Sequence, residues 1–314
     1  MDELSLTEIV DVVDEVAAML QDWENRYGIA FSPSFNITGG EPFLRDDLFE
    51  ILAEIGGRGF AVFLLSNGAL IDGKRAGKLA ELRVKGVQIS IEGPEHIHDE
   101  IRGKGSFTAS RAGVGNLLEA GLPVTLNVTI SRLNAMHMPE MVTLAAELGV
   151  QRLGFSRFVP TGRGIRMLDE MLTPHEVKEL YKGFAGLSVP GLDIVTGDPV
   201  AAQMHIEPPH DAGCATPFGG CAAGVSGLTL LADGTITPCR RLEIPLGNVR
   251  NDSLREVWAT SEVLALLRDK SKYRGKCGAC ARWTGCRGCR AIAYAFSQAE
   301  GGGDFLAEDP QCFI

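Results

Sequence analysis

The chain has 314 residues, 45 % of them hydrophobic, and a mean hydropathy of +0.07. This length can bury one large core together with a smaller appended unit. The net charge of −10 argues against nucleic acid as the main partner, because phosphate binding requires concentrated Lys and Arg.

Neither export nor membrane insertion is indicated. No apolar run approaches the length that spans a bilayer, so we expect no membrane partner. The first residues, Met1-Asp2-Glu3-Leu4-Ser5, are acidic and do not resemble a secretory leader. We therefore predict a cytoplasmic protein, whose thiols stay reduced.

Helix-like and strand-like segments alternate through the first half of the chain. Ser5-Leu6-Thr7-Glu8 is a capping-box pattern that opens the first predicted helix. The predicted helices cover residues 5–23, 45–55, 72–82, 107–120 and 139–148, and the predicted strands cover residues 29–37, 60–65, 86–91, 123–130 and 152–159. Strands that alternate with helices predict parallel βαβ units, and hence an α/β sheet or barrel.

Polar, glycine-rich loops follow four of these strands, at residues 38–42, 66–68, 90–93 and 160–164. In parallel α/β folds the loops at the carboxyl ends of the strands carry the chemistry. The loops therefore predict a site for a small polar ligand. The alternative is that such turns favour Gly, Asn and Ser for their backbone conformation alone.

The second part of the chain has a different character. From about Pro190 the alternation stops, and Gly, Pro and Cys become frequent. Residues 228–237 predict a β-hairpin around the turn Asp233-Gly234. We therefore divide the chain into domains at 1–189 and 190–314.

All eight cysteines lie beyond residue 213, at positions 214, 221, 239, 277, 280, 286, 289 and 312. The densest run is Cys277-x2-Cys280-x5-Cys286-x2-Cys289, in which paired thiolates can point at one metal centre. Eight cysteines divide into two sets of four, the number of thiolates that an iron–sulfur cluster takes. Structural zinc is the main alternative, because paired CxxC units also bind zinc, and disulfides remain possible in an exported protein.

The C-terminal part resembles the SPASM extension of radical S-adenosylmethionine (SAM) enzymes. Cys221, Gly234 and Cys239 follow that family's Cys-Gly-Cys spacing, and the dense run and the last cysteine continue it. The resemblance implies two auxiliary [4Fe–4S] clusters. The cluster I set comprises Cys214, Cys221, Cys239 and Cys289, and the cluster II set comprises Cys277, Cys280, Cys286 and Cys312.

The first half resembles the partial parallel (β/α) barrel of the same enzymes. The Gly-Gly-Glu-Pro loop after the first predicted strand matches a family motif that binds the methionine end of SAM, and the segments after the next two strands match further SAM-binding motifs. The SAM contacts implied by this resemblance are Gly39, Gly40, Glu41, Pro42, Ser66, Asn67, Ser90, Glu92 and Arg102.

One departure from the family pattern concerns the CxxxCxxC loop that holds the SAM-cleaving cluster. It should follow a first barrel strand upstream of the first helix, yet no cysteine precedes Cys214. We expect that the first strand and its loop are missing because the chain is a shortened form of a longer protein. The catalytic residues are therefore left unassigned.

The resemblance implies an enzyme that generates a 5′-deoxyadenosyl radical from SAM and modifies a peptide or a tetrapyrrole. It also implies an electron donor such as flavodoxin or ferredoxin. Two alternatives remain open. One is a non-catalytic two-cluster protein for electron transfer or substrate recognition, and the other is a zinc-stabilised binding domain.

Overall fold

The computed structural model describes residues 2–204 and 216–314, so the expectation for Cys214 lies outside the described residues. The chain forms two compact units. The first unit comprises Met1–Thr129, Met136–Gly154 and Ser188–Val195, and the second comprises Ile130–Ala135, Phe155–Leu187 and Thr196–Ile314. Among the described residues, none of the helices combines the length and apolar character needed to cross a membrane.

A six-stranded sheet confirms the predicted α/β fold. Its strands are β1 (Ser34–Ile37), β2 (Ala61–Ser66), β3 (Gly86–Ser90), β4 (Val124–Ile130), β5 (Arg152–Arg157) and β6 (Asp193–Thr196). They lie in chain order across the sheet, and the pairings among the first four are parallel. This order is the one that successive βαβ units produce in a (β/α) barrel.

Helices connect the strands. They are α1 (Leu6–Tyr27), α2 (Leu48–Gly57), α3 (Gly73–Glu81), α4 (Glu95–Arg102), α5 (Ser106–Glu119), α6 (Met138–Leu148) and α7 (Pro174–Ala185). The predicted capping box is confirmed, because Ser5 and Glu8 exchange side-chain and backbone hydrogen bonds at the start of α1. Half-buried and buried residues alternate along β2 and β4, whose Leu64 and Leu126 are fully buried. Burial of each such leucine contributes about 1.5–3 kcal/mol to folding.

Two elements correct the sequence interpretation. Residues 95–102 form helix α4, although we expected a polar loop there. Only His98 of this helix is buried, so its apolar stripe is too narrow to recognise. Strand β6 lies beyond the point where the alternation was expected to stop. It has four residues between Gly191 and Gly197, too few for a clear strand pattern.

The cysteine-rich part contains the predicted hairpin within a three-stranded antiparallel sheet. Its strands are β7 (Thr229–Leu230), β8 (Thr235–Thr237) and β9 (Gly247–Asn248), in that order. Four short helices follow, namely α8 (Leu254–Thr260), α9 (Glu262–Arg268), α10 (Gly275–Ala279) and α11 (Arg290–Ala299). Because these helices and strands are short, most of the cysteine-rich part consists of loops. Loops can bend around a bound group.

Helix α5 packs closely on the loop that follows β2. A Cβ atom at Gly113 would overlap the carbonyl oxygen of Gly68, and the Ser110 hydroxyl donates to the Asn67 carbonyl at 2.6 Å. The missing side chain of Gly113 therefore lets α5 hold the Ser66–Gly68 loop in place.

We predict that Gly113→Ala destabilises the protein by about 1–3 kcal/mol, because the added methyl must displace the backbone of the loop. Gly115 lies on the same helix with open space around it, so Gly115→Ala should be neutral or stabilising by up to about 1 kcal/mol. Urea unfolding of both variants measures the difference. Equal stability of the two variants would contradict this packing.

Candidate functional site

Glu41 joins the loops that follow β1 and β2. Its carboxylate accepts hydrogen bonds from the Ser66 hydroxyl at 2.8 Å and from the backbone N–H of Asn67 at 2.9 Å. The two glycines that precede Glu41 are exposed, so their backbone is accessible. This arrangement brings together the predicted SAM contacts of the two loops, namely Gly39, Gly40, Glu41, Pro42, Ser66 and Asn67.

The loop after β3 is organised by Glu92. This residue is 3 % exposed, and its carboxylate forms an ion pair with Arg102 and accepts the backbone N–H of Thr129 at 2.7 Å. Both of its oxygens are thus engaged inside the protein, whereas a third of the Arg102 side chain is exposed. Ser90 ends β3 beside Asn127 of β4. Among the predicted contacts Ser90, Glu92 and Arg102, Glu92 positions Arg102 through their ion pair.

His98 supports the same loop from helix α4. Its Nδ1 accepts the backbone N–H of Glu92 at 3.0 Å, and its ring packs edge-on against Phe107. The side chain is fully buried, and burial, together with the nearby Arg102 charge, lowers the pKa of His98 to about 4. The imidazole is therefore neutral at pH 7, with its proton on Nε2.

We predict that the protein loses stability as the pH falls from 6.5 toward 4. The unfolded chain protonates His98 near pH 6.5, whereas the folded protein does so only near pH 4. The loss should reach at most about 3 kcal/mol over this window. The free energy of unfolding of the native protein and of His98→Gln is measured against pH, with the exposed His175→Gln as control. An unchanged pH slope in His98→Gln would disprove the assignment.

The four cysteines of the cluster II set line a single pocket in the second unit. The pocket contains about 340 Å³ of empty space, part of it open to solvent. The other residues that line it are Gln203, Lys276, Trp283, Arg287, Gly288, Asp309 and Ile314. Three of the four cysteines, Cys277, Cys286 and Cys312, are buried.

Every sulfur of the cluster II set has an N–H donor nearby. The donors are the backbone N–H of Arg282 on Cys280 (3.3 Å), the backbone N–H of Gly288 on Cys286 (3.4 Å), the Gln203 amide on Cys312 (3.4 Å) and the Arg290 guanidinium on Cys277 (3.6 Å). The indole Nε1 of Trp283 is also buried at the pocket, with no acceptor among the described residues. Thiolate ligands with donors directed at sulfur fit an iron–sulfur cluster, whose potential depends on such hydrogen bonds.

The three described cysteines of the cluster I set also lie together. Cys221 belongs to a buried cluster with Leu242 and Ile292, and Cys239 and Cys289 pack against that cluster. Cys214, the fourth member, lies outside the described residues. The structure therefore brings the cluster II set to one pocket and the three described members of the cluster I set to one apolar cluster.

The two sets are joined through the backbone. The N–H of Cys221 donates to the carbonyl of Cys286 at 3.1 Å. Gly220, with φ +70°, allows this approach, because a Cβ there would lie 2.6 Å or less from the Gly285 and Cys286 carbonyl oxygens. The backbone segments that carry Cys221 and Cys286 are therefore in direct contact.

Burial disfavours the ionised form of the cysteines. It raises the pKa of Cys286 to about 11 and that of Cys289, next to Cys221, to about 12. As free thiols these groups are neutral at pH 7, so metal binding must release their protons. In the described ranges all seven cysteines are free, and no three His, Cys, Asp or Glu side chains are close enough to hold a single metal ion.

Arg157, at the end of β5, is a buried cation that the sequence analysis did not identify. Its guanidinium pairs with Asp198 at 2.6 Å and with Asp309 at 2.8 Å, and it donates to Gln311 at 2.9 Å. Asp309 in turn accepts the backbone N–H of Cys289 at 2.7 Å. The only sequence signal was a charged residue at the end of a predicted strand.

This network contains one guanidinium and two carboxylates. Burial alone would raise the pKa of Asp309, but the Arg157 guanidinium and two backbone N–H groups outweigh it, and the pKa lies below its ordinary value. The carboxylate therefore stays ionised, and it fixes the segment that carries Cys312, whose N–H donates to the Asp309 carbonyl at 3.0 Å.

We predict that Arg157→Gln destabilises the protein by about 3–5 kcal/mol, because it leaves buried carboxylates without a partner. Arg152 lies on the same strand, 59 % exposed, in a 3.8 Å ion pair with Asp193, so Arg152→Gln should cost at most about 1 kcal/mol. Thermal unfolding of the two variants gives the comparison. A similar loss in both would show that the buried network contributes little.

Comparisons with known proteins agree with this geometry. Residues 3–156 match the family model described as the radical SAM superfamily, and residues 221–289 match the SPASM model, described as an iron–sulfur cluster-binding domain. The chain is 31 % identical over 294 residues to the AdoMet-dependent heme synthase of Oleidesulfovibrio alaskensis, covering 90 % of this chain and 74 % of that protein. It is 29 % identical over 317 residues to the mycofactocin maturase MftC of Mycobacterium tuberculosis, covering 99 % of this chain and 75 % of that protein.

The fold resembles that of solved structures. Streptococcus suis SuiB bound to S-adenosylmethionine superposes with a TM-score of 0.72 at 17 % identity, covering 96 % of this chain and 70 % of that chain. The same protein bound to its precursor peptide SuiA gives a TM-score of 0.70 at 15 % identity, covering 96 % and 69 %. At this level of identity the likeness concerns the fold alone.

Proposed function

The chain belongs to the radical SAM superfamily and carries its SPASM iron–sulfur domain, and from this premise we propose that it acts in the SAM-dependent radical modification of a peptide or a tetrapyrrole. Homologues of this family are enzymes, and its two domains imply [4Fe–4S] clusters together with SAM. The proposal concerns the substrate class and the residues that hold each cofactor.

The observation that carries the proposal is the grouping of the cysteines. The cluster II set lines one pocket, with an N–H donor near each sulfur. The described members of the cluster I set lie in one buried cluster. We assign one [4Fe–4S] cluster to each set, with Cys214 as the fourth ligand of the first.

The loops after β1, β2 and β3 form the proposed SAM site. Glu41 holds the exposed backbone of Gly39 and Gly40 against the Ser66–Asn67 loop, where it can receive the methionine end of SAM. Arg102, positioned by Glu92, supplies a cation for the SAM carboxylate. When bound, SAM and a reduced cluster supply the radical chemistry, while these residues bind and orient.

Two kinds of relative support the substrate class. One is named AdoMet-dependent heme synthase, and others are named mycofactocin maturase and PqqA peptide cyclase. A tetrapyrrole or a peptide is therefore the proposed substrate, with a one-electron donor of the flavodoxin or ferredoxin class.

The first test is metal analysis of the anaerobically purified chain. Two four-iron clusters predict about eight irons and eight sulfides per chain. SAM binding is measured on the same sample by equilibrium dialysis. Zinc in place of iron would refute the cluster assignment, whereas iron without SAM binding would favour the alternative of a two-cluster electron-transfer or recognition protein.

We predict that Glu41→Ala weakens SAM binding about tenfold or more, because three groups on the two loops lose their acceptor, a loss of about 1.4 kcal/mol or more. The exposed Glu50→Ala removes the same charge from the following helix and serves as the control. Unaltered SAM affinity in Glu41→Ala would contradict the assigned site.

The substrate class and the radical step need separate assays. Porphyrin precursors and peptides encoded beside the gene are titrated against the iron-loaded chain, and the class that binds is identified by its change in the cluster EPR spectrum. Release of 5′-deoxyadenosine is then compared between this chain and any longer reading frame that carries CxxxCxxC. Binding of neither class would overturn the proposed substrate.

A further inference from the structure

Two arginines in the Cys286–Arg290 segment are buried and have no carboxylate among their described hydrogen-bond partners. Arg287 is 2 % exposed and Arg290 is 1 % exposed. Arg287 donates to the backbone carbonyls of Thr284, Gly219 and Cys221. Among the described residues, neither arginine forms an ion pair of the kind that Arg157 forms with two aspartates. An uncompensated buried guanidinium is costly, so such a pair indicates that a negative charge belongs nearby.

The surroundings of Arg290 show where that charge would lie. The Nη1 of Arg290 donates to the carbonyls of Phe305 and Ala307 at 3.1 and 2.6 Å. The guanidinium also lies over the ring of Tyr273. The other side points at sulfur, with Nη2 3.6 Å from Cys277 Sγ. Its Nε is buried with no acceptor among the described residues. Backbone carbonyls therefore hold Arg290 with its Nη2 directed at the cluster II set, and the nearby Asp309 carboxylate is itself paired with Arg157.

Arg287 occupies a complementary position between the two sets. It lines the pocket of the cluster II set, and its guanidinium also binds the carbonyl of Cys221, a member of the cluster I set. Its φ of +62° is a conformation that non-glycine residues rarely adopt. Residues with such backbone strain persist where the surrounding structure fixes them, and they concentrate at functional sites.

We propose that Arg287 and Arg290 are the built-in counter-charges of the two iron–sulfur clusters, and that Arg290 raises the reduction potential of the cluster held by the cluster II set. This inference rests on the proposed function, because it requires the clusters. Four thiolates make a bound cluster anionic, and its reduction by one electron from an external donor adds a further negative charge. A fixed cation beside Cys277 stabilises the reduced state more than the oxidised one.

The test is an EPR-monitored redox titration of the iron-loaded chain. Arg290→Gln removes the charge and keeps hydrogen-bonding atoms, and Arg290→Lys keeps the charge. Arg274→Gln removes a cation that is 73 % exposed and paired with Asp304, and is the matched control. In Arg290→Gln we expect the ratio of reduced to oxidised cluster at a fixed potential to fall about tenfold or more, a shift of about 59 mV for a one-electron couple. Arg290→Lys and Arg274→Gln should titrate like the native protein.

Iron and sulfide analysis before the titration separates the possible failures. Absence of iron from the native chain would overturn the proposed function itself. An unchanged potential in an iron-loaded Arg290→Gln would overturn this inference alone. Loss of iron from Arg290→Gln but not from Arg290→Lys would support the counter-charge, whereas loss from both would show a merely structural role and contradict it.

Discussion

The buried pairing of Arg157 with Asp198 and Asp309 is the interaction on which the cysteine-rich part depends. It joins the end of a barrel strand to a residue only three positions before the last cysteine, and Asp309 also fixes the backbone of Cys289. Buried ion pairs gain little over well-packed apolar side chains in stability. Buried ion pairs do require a specific geometry. Here that geometry fixes the positions of Cys289 in the cluster I set and Cys312 in the cluster II set.

The other two buried arginines of this region differ from Arg157 in their partners. Arg157 pairs with two carboxylates inside the protein, whereas the hydrogen-bond partners of Arg287 and Arg290 are backbone carbonyls and a cysteine sulfur, with an aromatic ring beside each. Arg287 and Arg290 form no ion pair among the described residues. An anionic iron–sulfur cluster between the cysteines would supply a counter-charge to both.

The strands and helices of the first half were predictable because each buries one face, so that residues recur with the period of the element. Helix α4 and strand β6 were not, since each is too short to show its period. The cysteine sets followed from spacing that a known family shares. The Arg157–Asp309 pair could not be predicted from the sequence, because its two residues are 152 positions apart and single charged residues form no recognisable pattern. Nor could spacing reveal that Glu92 is occupied by Arg102 rather than free for a ligand.

Anomalous diffraction at the iron edge from anaerobic crystals of the chain tests the central claim most directly. The account predicts two separate iron centres, one among Cys277, Cys280, Cys286 and Cys312, and the other beside Cys221, Cys239 and Cys289 with Cys214 completing it. The Arg290 guanidinium should lie against the first centre. A single centre, a zinc edge in place of iron, or an iron centre bound by a different combination of cysteines would contradict the account.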